Sequence, residues 1–225
     1  MDFEQEFRVR PNDRVSLANI DTDAKGPFEE KEDALAATKS NVESIQELQY
    51  RLFVEERQSL LIVLQAPDAA GKDGLIRKVL GRMNPQGCRT YPYKAPSSIE
   101  RAHDFLWRIH QCTPQRGKVS IFNRSHYEDV LVARVAELVP KKTWSERFEL
   151  INSFERGLIQ AGTRILKIYL HISPEEQLSR FAERLDVPEK HWKLNLADYA
   201  ARDDWEAYAE AYDCLLYTSD AADDL

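Results

Sequence analysis

Apolar residues along this chain recur at two different spacings, and each spacing marks a different kind of element. Ala34, Leu35, Val42, Ile45, Leu48, Leu52 and Phe53 lie at helical intervals and predict a helix over residues 31–58. Leu60-Leu-Ile-Val-Leu-Gln65 is a continuous apolar run, as in a strand buried on both faces of a parallel sheet. A glycine-containing turn and a helix over about 71–82 follow it. Cys88 to Tyr93 predicts an edge-like strand, Val119-Ser-Ile-Phe122 a second buried strand, and Ile165 to Ile172 another. Ser97-Ser-Ile-Glu100, Thr143-Trp-Ser-Glu146 and Ser173-Pro-Glu-Glu176 have the form of capping boxes that open helices, the first running to about Gln111. Strand and helix alternate throughout. That alternation predicts a layered α/β fold with a mainly parallel sheet and right-handed crossovers. Residues 1–30 read as an extended arm, 31–213 as the folded domain and 214–225 as an atypical tail.

Composition bounds the picture. A chain of 225 residues that is 43% hydrophobic can bury one sizeable core and is too apolar for a disordered protein. Its longest apolar run, Leu60 to Ala66, is far too short to cross a bilayer, so no membrane partner is expected. The acidic start Met1-Asp2-Phe3-Glu4 shows no signal-peptide pattern. Cys88, Cys112 and Cys214 are odd in number and form no CxxC pair, which argues against a disulfide framework or zinc site. A cytoplasmic protein is the expectation. The net charge of −7 is unevenly spread: residues 1–50 carry −6, residues 203–225 carry −8, and the segment 51–202 carries +7. A basic centre suits a polyanionic substrate, although a well-solvated surface would look the same. Charge alone does not separate nucleotide, polyphosphate and nucleic acid.

The strongest local signal is Gln65-Ala-Pro-Asp68-Ala69-Ala70-Gly71-Lys72-Asp73-Gly74, which follows a buried strand and precedes a helix. That is the context of a P-loop, whose backbone N–H groups cradle phosphate oxygens. Gly71 permits close backbone approach, and Lys72 can reach a transferring phosphoryl group. The match to GxxxxGK[ST] is imperfect. Ala66 stands in place of the first glycine, and Asp73 in place of the magnesium-binding Ser/Thr. The plain alternative is a tight strand–helix turn with an exposed lysine. Asp68 facing phosphates makes sense where it holds a cation between them.

A second candidate is Val119-Ser-Ile-Phe-Asn123-Arg124-Ser125-His126-Tyr127-Glu128-Asp129. Arg124 could clamp phosphate bidentately, and carboxylates follow one helical turn later. Alone, this could be a strand end with solvated charges. Together with Asp68 to Gly74, Asn84-Pro-Gln-Gly87, Asp104-Phe-Leu-Trp-Arg108 and Asp186-Val-Pro-Glu-Lys-His-Trp-Lys-Leu194, however, it resembles the second family of polyphosphate kinases. The resemblance covers roughly residues 30–213, with the motifs in the family's order. It implies a thymidylate-kinase-like, three-layer P-loop core with a helical lid, Mg2+ as cofactor, and phosphate transfer between inorganic polyphosphate and nucleotides. Asp68 and Lys72 match the family's P-loop pair, and Arg124 its arginine after the second strand. Asn123 departs from the aspartate many members carry, which makes Glu128 the candidate second metal ligand beside Asp68. The Asn-Arg-Ser-His-Tyr-Glu-Asp form resembles the subgroup acting on both AMP and ADP.

Arg180, Arg184, Lys190 and Lys193 form a basic stretch with Pro188 and Trp192 between them. A solvated basic face is the commoner reading, but the resemblance implies a lid over about 180–200 that closes on phosphates. The expected site is therefore Asp68, Lys72 and Arg124 for catalysis, and Ala69, Ala70, Gly71, Asp73, Gly74, Lys94, Arg180, Arg184 and Lys193 for phosphate or nucleotide, with metal at Asp68 and Glu128. His103, His110 and His126 read as packed or hydrogen-bonded, and Trp107 and Trp205 as core. Expected partners are inorganic polyphosphate, adenine nucleotides and further copies of the chain in a dimer or tetramer, with no nucleic acid. An ATP-using nucleoside monophosphate or small-molecule kinase, or an inactive polyphosphate-binding module, would share much of this pattern. Cys214 to Leu225 departs from the family's continuation into a further strand and helix, and resembles a truncation or frame artefact.

Overall fold

The computed structural model describes residues 7–10 and 15–218; the remainder of the expected arm and tail, 1–6, 11–14 and 219–225, lies outside the described residues. Helix α1 (Lys31–Glu55) leads into β1 (Ser59–Gln65), α2 (Lys72–Lys78) and β2 (Cys88–Pro92). Two short helices, α3 (Ser98–Arg101) and α4 (Trp107–His110), precede β3 (Val119–Asn123). Then come α5 (Glu128–Val135), α6 (Lys141–Gln160), β4 (Thr163–Tyr169), α7 (Pro174–Asp186), α8 (Leu196–Ala200) and α9 (Trp205–Thr218). The strands form one sheet in the order β2-β3-β1-β4, parallel at every pairing. This is the α/β architecture expected from the alternating pattern, with β2 at an edge.

The apolar run of β1 is continuous because both of its faces are covered. Leu61 and Val63 join Phe122 and Ile165 in a core closed by Ile151 and Phe154 of α6 and Tyr212 and Leu215 of α9. Ile62 and Leu64 point the other way, into a core with Val119 and Ile121 closed by α1 and α2. Each such side chain, removed from water, contributes about 1.5–3 kcal/mol. The register then sets the position of the chemistry. Leu64 lies opposite Asn123, and Arg124 N–H donates to the Leu64 carbonyl at 3.1 Å. The loops after β1 and β3 thus leave the sheet side by side, at the strand ends where α/β sheets bind ligands.

The arm packs on the domain. Leu17 is buried, its N–H donates to Asp213 Oδ1 at 2.8 Å, and its carbonyl accepts from His171 Nε2 at 3.1 Å. At Gly87 a β-carbon would lie 2.2 Å from Gln49 Nε2 and 3.0 Å from Phe53 Cδ2, so a side chain there would displace the Gln49 amide that packs between α1 and the start of β2. Cys214 to Leu215 and beyond belong to α9, with Leu215 in the core.

Several local expectations need correction. The helix opened by Ser97 stops at Arg101 instead of running to Gln111, although its capping box forms in full. Asp104 breaks it: its carboxylate accepts from Leu106 N–H at 3.0 Å and starts a new turn. Thr143 caps nothing, because α6 begins earlier, after Pro140 at the N-cap position. Ser173 does cap α7, accepting from Glu176 N–H, but Glu176 turns its carboxylate to Arg180 rather than back to Ser173. Trp107 and Trp205 are half-buried rather than core, Trp107 stacking on His103 at 4.0 Å. Among the described residues, no helix is long and apolar enough to cross a membrane.

Candidate active site

The loop from Gln65 to Gly71 turns sharply between the central strand and α2. Its backbone enters the left-handed region twice, at Ala69 (φ 62°) and Gly71 (φ 107°). Alanine pays roughly 1–2 kcal/mol for that conformation, the kind of strain that accumulates at functional loops. The positive φ is what favours glycine at 71, since a β-carbon there would make only ordinary contact with Arg180 Nη1 at 3.4 Å.

Lys72 is 9% exposed and curls over its own loop, donating from Nζ to the carbonyls of Ala66 at 2.8 Å and Pro67 at 3.1 Å. Burial, and then the neighbouring Arg124 charge, lower its pKa to about 8, against the pull of Asp68, Glu128 and Asp73.

Arg124 also sits in the left-handed region, at φ 62°. Its guanidinium joins two carboxylates: Nη2 contacts Asp68 Oδ1, and Nη1 lies 3.2 Å from Glu128 Oε2. Burial alone would lower the Arg124 pKa, but Glu128 and Asp68 outweigh it and raise it. Asp73, beside Lys72, accepts from Asn123 Nδ2 at 3.1 Å and from Lys193 Nζ at 2.8 Å. The Lys193 hydrogen bond is the largest cause that lowers the Asp73 pKa.

The basic stretch divides in its roles. Arg180 Nη1 reaches the Ala69 carbonyl at 3.0 Å, and Lys193 reaches Asp73. Arg184 instead braces the stretch internally, bonding Asp198 Oδ2 at 2.9 Å and the Lys193 carbonyl at 3.2 Å. Lys94 is exposed, and its carbonyl accepts from Arg108 Nη1 at 2.9 Å. Ala70 is buried under the loop, packing with Ala66 and Ile172, and Gly74 has open space around it. Sequence reasoning missed Gln177, which donates to the Asp68 carbonyl at 2.9 Å and fixes the loop from α7. It also missed Tyr208 and Tyr212, which with Trp205 wall a cavity of about 630 Å³ opening onto Asp68, Arg124 and Glu128. Their spacing on α9 is an amphipathic signal that could have flagged them.

The cluster thus gathers carboxylates and cations at one mouth. Among the described residues, no group of three or more histidine, cysteine or carboxylate side chains could hold a metal ion by itself. Asp68 and Glu128 are hard oxygen donors that share the Arg124 guanidinium, each at its own nitrogen. A pair of that kind suits Mg2+, which binds through one or two carboxylates and completes its shell with phosphates and water.

Residues 28–223 match the family model for polyphosphate kinase 2. The chain is 46% identical over 216 residues to an AMP/ADP-polyphosphate phosphotransferase of Meiothermus ruber, covering 94% of this chain and 80% of that protein. It is 42% identical over 228 residues to an ADP-polyphosphate phosphotransferase of Rhodopseudomonas palustris, covering 96% and 79%. Its structure is similar to that of polyphosphate kinase 2 from Arthrobacter aurescens, with a TM-score of 0.89 and 40% identity over 94% of this chain and 76% of the other.

Proposed function

This chain belongs to the polyphosphate kinase 2 family, and from that premise we propose that it moves phosphoryl groups between inorganic polyphosphate and adenine nucleotides, with both AMP and ADP as acceptors. The observation that carries the reading is the Asp68–Arg124–Glu128 cluster beside Lys72, set at the mouth of the loop that follows the central strand. The dual acceptor range is supported by the Asn123-to-Asp129 motif and by the name of the Meiothermus relative.

Phosphoryl transfer asks for alignment and charge compensation more than covalent chemistry. Lys72, released from its own loop carbonyls, would hold the transferred group. Arg124 would bind phosphate oxygens while keeping Asp68 and Glu128 in place. Residues 180–200 would act as the lid, with Arg180 and Lys193 adding charge as water is excluded. The acceptor is already a phosphate oxyanion, so no strong general base is required. Asp68 and Glu128 would hold Mg2+, which would supply positive charge to offset that of the phosphates.

A homo-oligomer is supported by the exposed apolar residues Leu35, Leu48, Tyr50 and Val54 of α1. A reducing, cytoplasmic setting is supported by the absence of any disulfide among the described residues. The test is ATP formation from polyphosphate, Mg2+ and either AMP or ADP. ATP from both establishes the proposal, and ATP from ADP alone narrows it. Phosphoryl transfer that requires ATP as donor and ignores polyphosphate would overturn it.

A further inference from the structure

Behind the site, the core holds a charged cluster that the transfer chemistry does not use. Glu155 of α6 is 1% exposed and shares a helix face with the core residues Ile151 and Phe154. Its Oε1 accepts from Tyr127 Oη at 2.6 Å and from His126 Nε2 at 3.1 Å. Its Oε2 accepts from Lys167 Nζ of β4 at 2.8 Å, and Lys167 also donates to Tyr127 Oη at 2.8 Å. His126 and Tyr127 are as buried as Glu155. His126 Nδ1 is buried without a hydrogen-bond partner, so the ring's one polar contact is Nε2 toward Glu155.

A buried ion pair is weak evidence for stability, because desolvation consumes most of its Coulombic gain. Its position in the chain points to another use. His126 and Tyr127 lie between Arg124 and Glu128, the two residues that grip each other at the site. The turn that carries them is tight: Tyr127 N–H donates to Ser125 Oγ, and Glu128 N–H to the Ser125 carbonyl, each at 3.2 Å. Arg124 enters this turn in the left-handed region, a conformation that persists only where its surroundings hold it. Glu155 grips both middle residues of the turn from α6, and Lys167 ties the grip to the sheet.

We infer that Glu155 is a positioning residue for phosphoryl transfer, acting through His126 and Tyr127 to hold the Arg124 guanidinium against Asp68 and Glu128. The inference rests on the polyphosphate reading for its kinetic test and on geometry alone for its spectroscopic one. Glu155→Gln keeps the side-chain size and removes the charge. A misplacement of about 1 Å can cost about 100-fold in rate, so kcat should fall about 10- to 100-fold while KM for the nucleotide moves far less. In an Arg124→Lys background the same substitution should change kcat less than about twofold, because the fork it positions is already gone. An equal factor in both backgrounds would mean a merely structural role and overturn the inference.

The Arg124 Nε–H NMR signal, identified by its loss in Arg124→Lys, gives a readout that needs no activity. It should shift in Glu155→Gln, and an unmoved signal overturns the inference even if the polyphosphate reading stands. Conversely, a shifted signal in a chain that never turns over polyphosphate would uphold the positioning and sink the functional reading. Should Glu155→Gln fail to fold, Tyr127→Phe removes a single hydroxyl from the same cluster. The same pattern with a smaller loss is expected, and unchanged kcat with an unmoved signal would overturn the inference.

Discussion

Lys193 Nζ lies 2.8 Å from Asp73 Oδ2, across 120 positions of sequence, and ties the basic stretch after α7 to the first turn of α2. Asp73 occupies the position where a Ser/Thr would stand in the common P-loop pattern, and Asn123 holds its other oxygen. Both partners are substantially exposed, and ion pairs of that kind are worth about 0.2–1 kcal/mol. Asp73→Asn should therefore loosen that stretch modestly in the ligand-free protein. Tryptic cleavage after Lys190 or Lys193 should speed up by about fivefold at most. Cleavage at the wild-type rate would show that the contact does not hold the stretch in place.

Asp68 tests the centre of the site. Its carboxylate is a quarter exposed and contributes to no core, so Asp68→Ala should leave the melting temperature nearly unchanged. It should nonetheless lower phosphoryl transfer about 100- to 1,000-fold, the usual cost of removing one preorganised electrostatic group. A coupled ATP assay and a thermal melt on the same sample separate the two effects. Activity within a few-fold of wild type would remove Asp68 from the mechanism.

Much of this arrangement is legible in the sequence, and the illegible part has a physical pattern. Leu60 to Gln65 and Val119 to Phe122 read as buried strands because both faces of each are covered. Asp68, Lys72, Arg124 and Glu128 are legible because they follow those strands directly, and the Leu64–Asn123 register brings them together. Contacts between distant residues leave no local trace: nothing near Asp68 predicts Arg124 as its partner, nor Gln177 as the donor to its carbonyl. Local competition also escapes a pattern reading. Asp104 can cap a new turn, and Pro140 can start α6 early, whatever the hydrophobic spacing. Glu155, like Tyr208 and Tyr212, was a detectable omission, a lone carboxylate on the helix face that carries Ile151 and Phe154 into the core.

The buried cluster also predicts how the protein responds to acid. Burial alone would raise the Glu155 pKa, but the Lys167 charge, followed by His126, holds it down at about 2 against an ordinary 4.5. The unfolded chain thus binds the proton more readily than the folded one between those values. The stability Glu155 contributes is complete above about pH 4.5 and is lost as pH falls toward about 2. Urea melts from pH 6 to 2.5 should show wild-type stability falling more steeply than that of Glu155→Gln in this window. Parallel curves would show that Glu155 does not gain its ionised form on folding.

The low pKa of Lys72 should make phosphate binding sensitive to alkali. In the ligand-free protein burial and Arg124 bring it to about 8, from an ordinary 10.5. Only the protonated amine attracts a polyanion, so bound phosphate must raise that pKa, and binding above pH 8 must take up a proton. Affinity for inorganic polyphosphate should then fall as pH rises through about 8, by about tenfold between pH 7 and pH 9.5. Arginine does not titrate in this range, so Lys72→Arg should bind with a nearly flat pH profile, whatever its absolute affinity. Calorimetry at three pH values, in buffers of different ionisation heat, measures both the affinity and the proton taken up. If the wild type and Lys72→Arg lose affinity in parallel, the titrating group is elsewhere and Lys72 is not the cation that meets the phosphate.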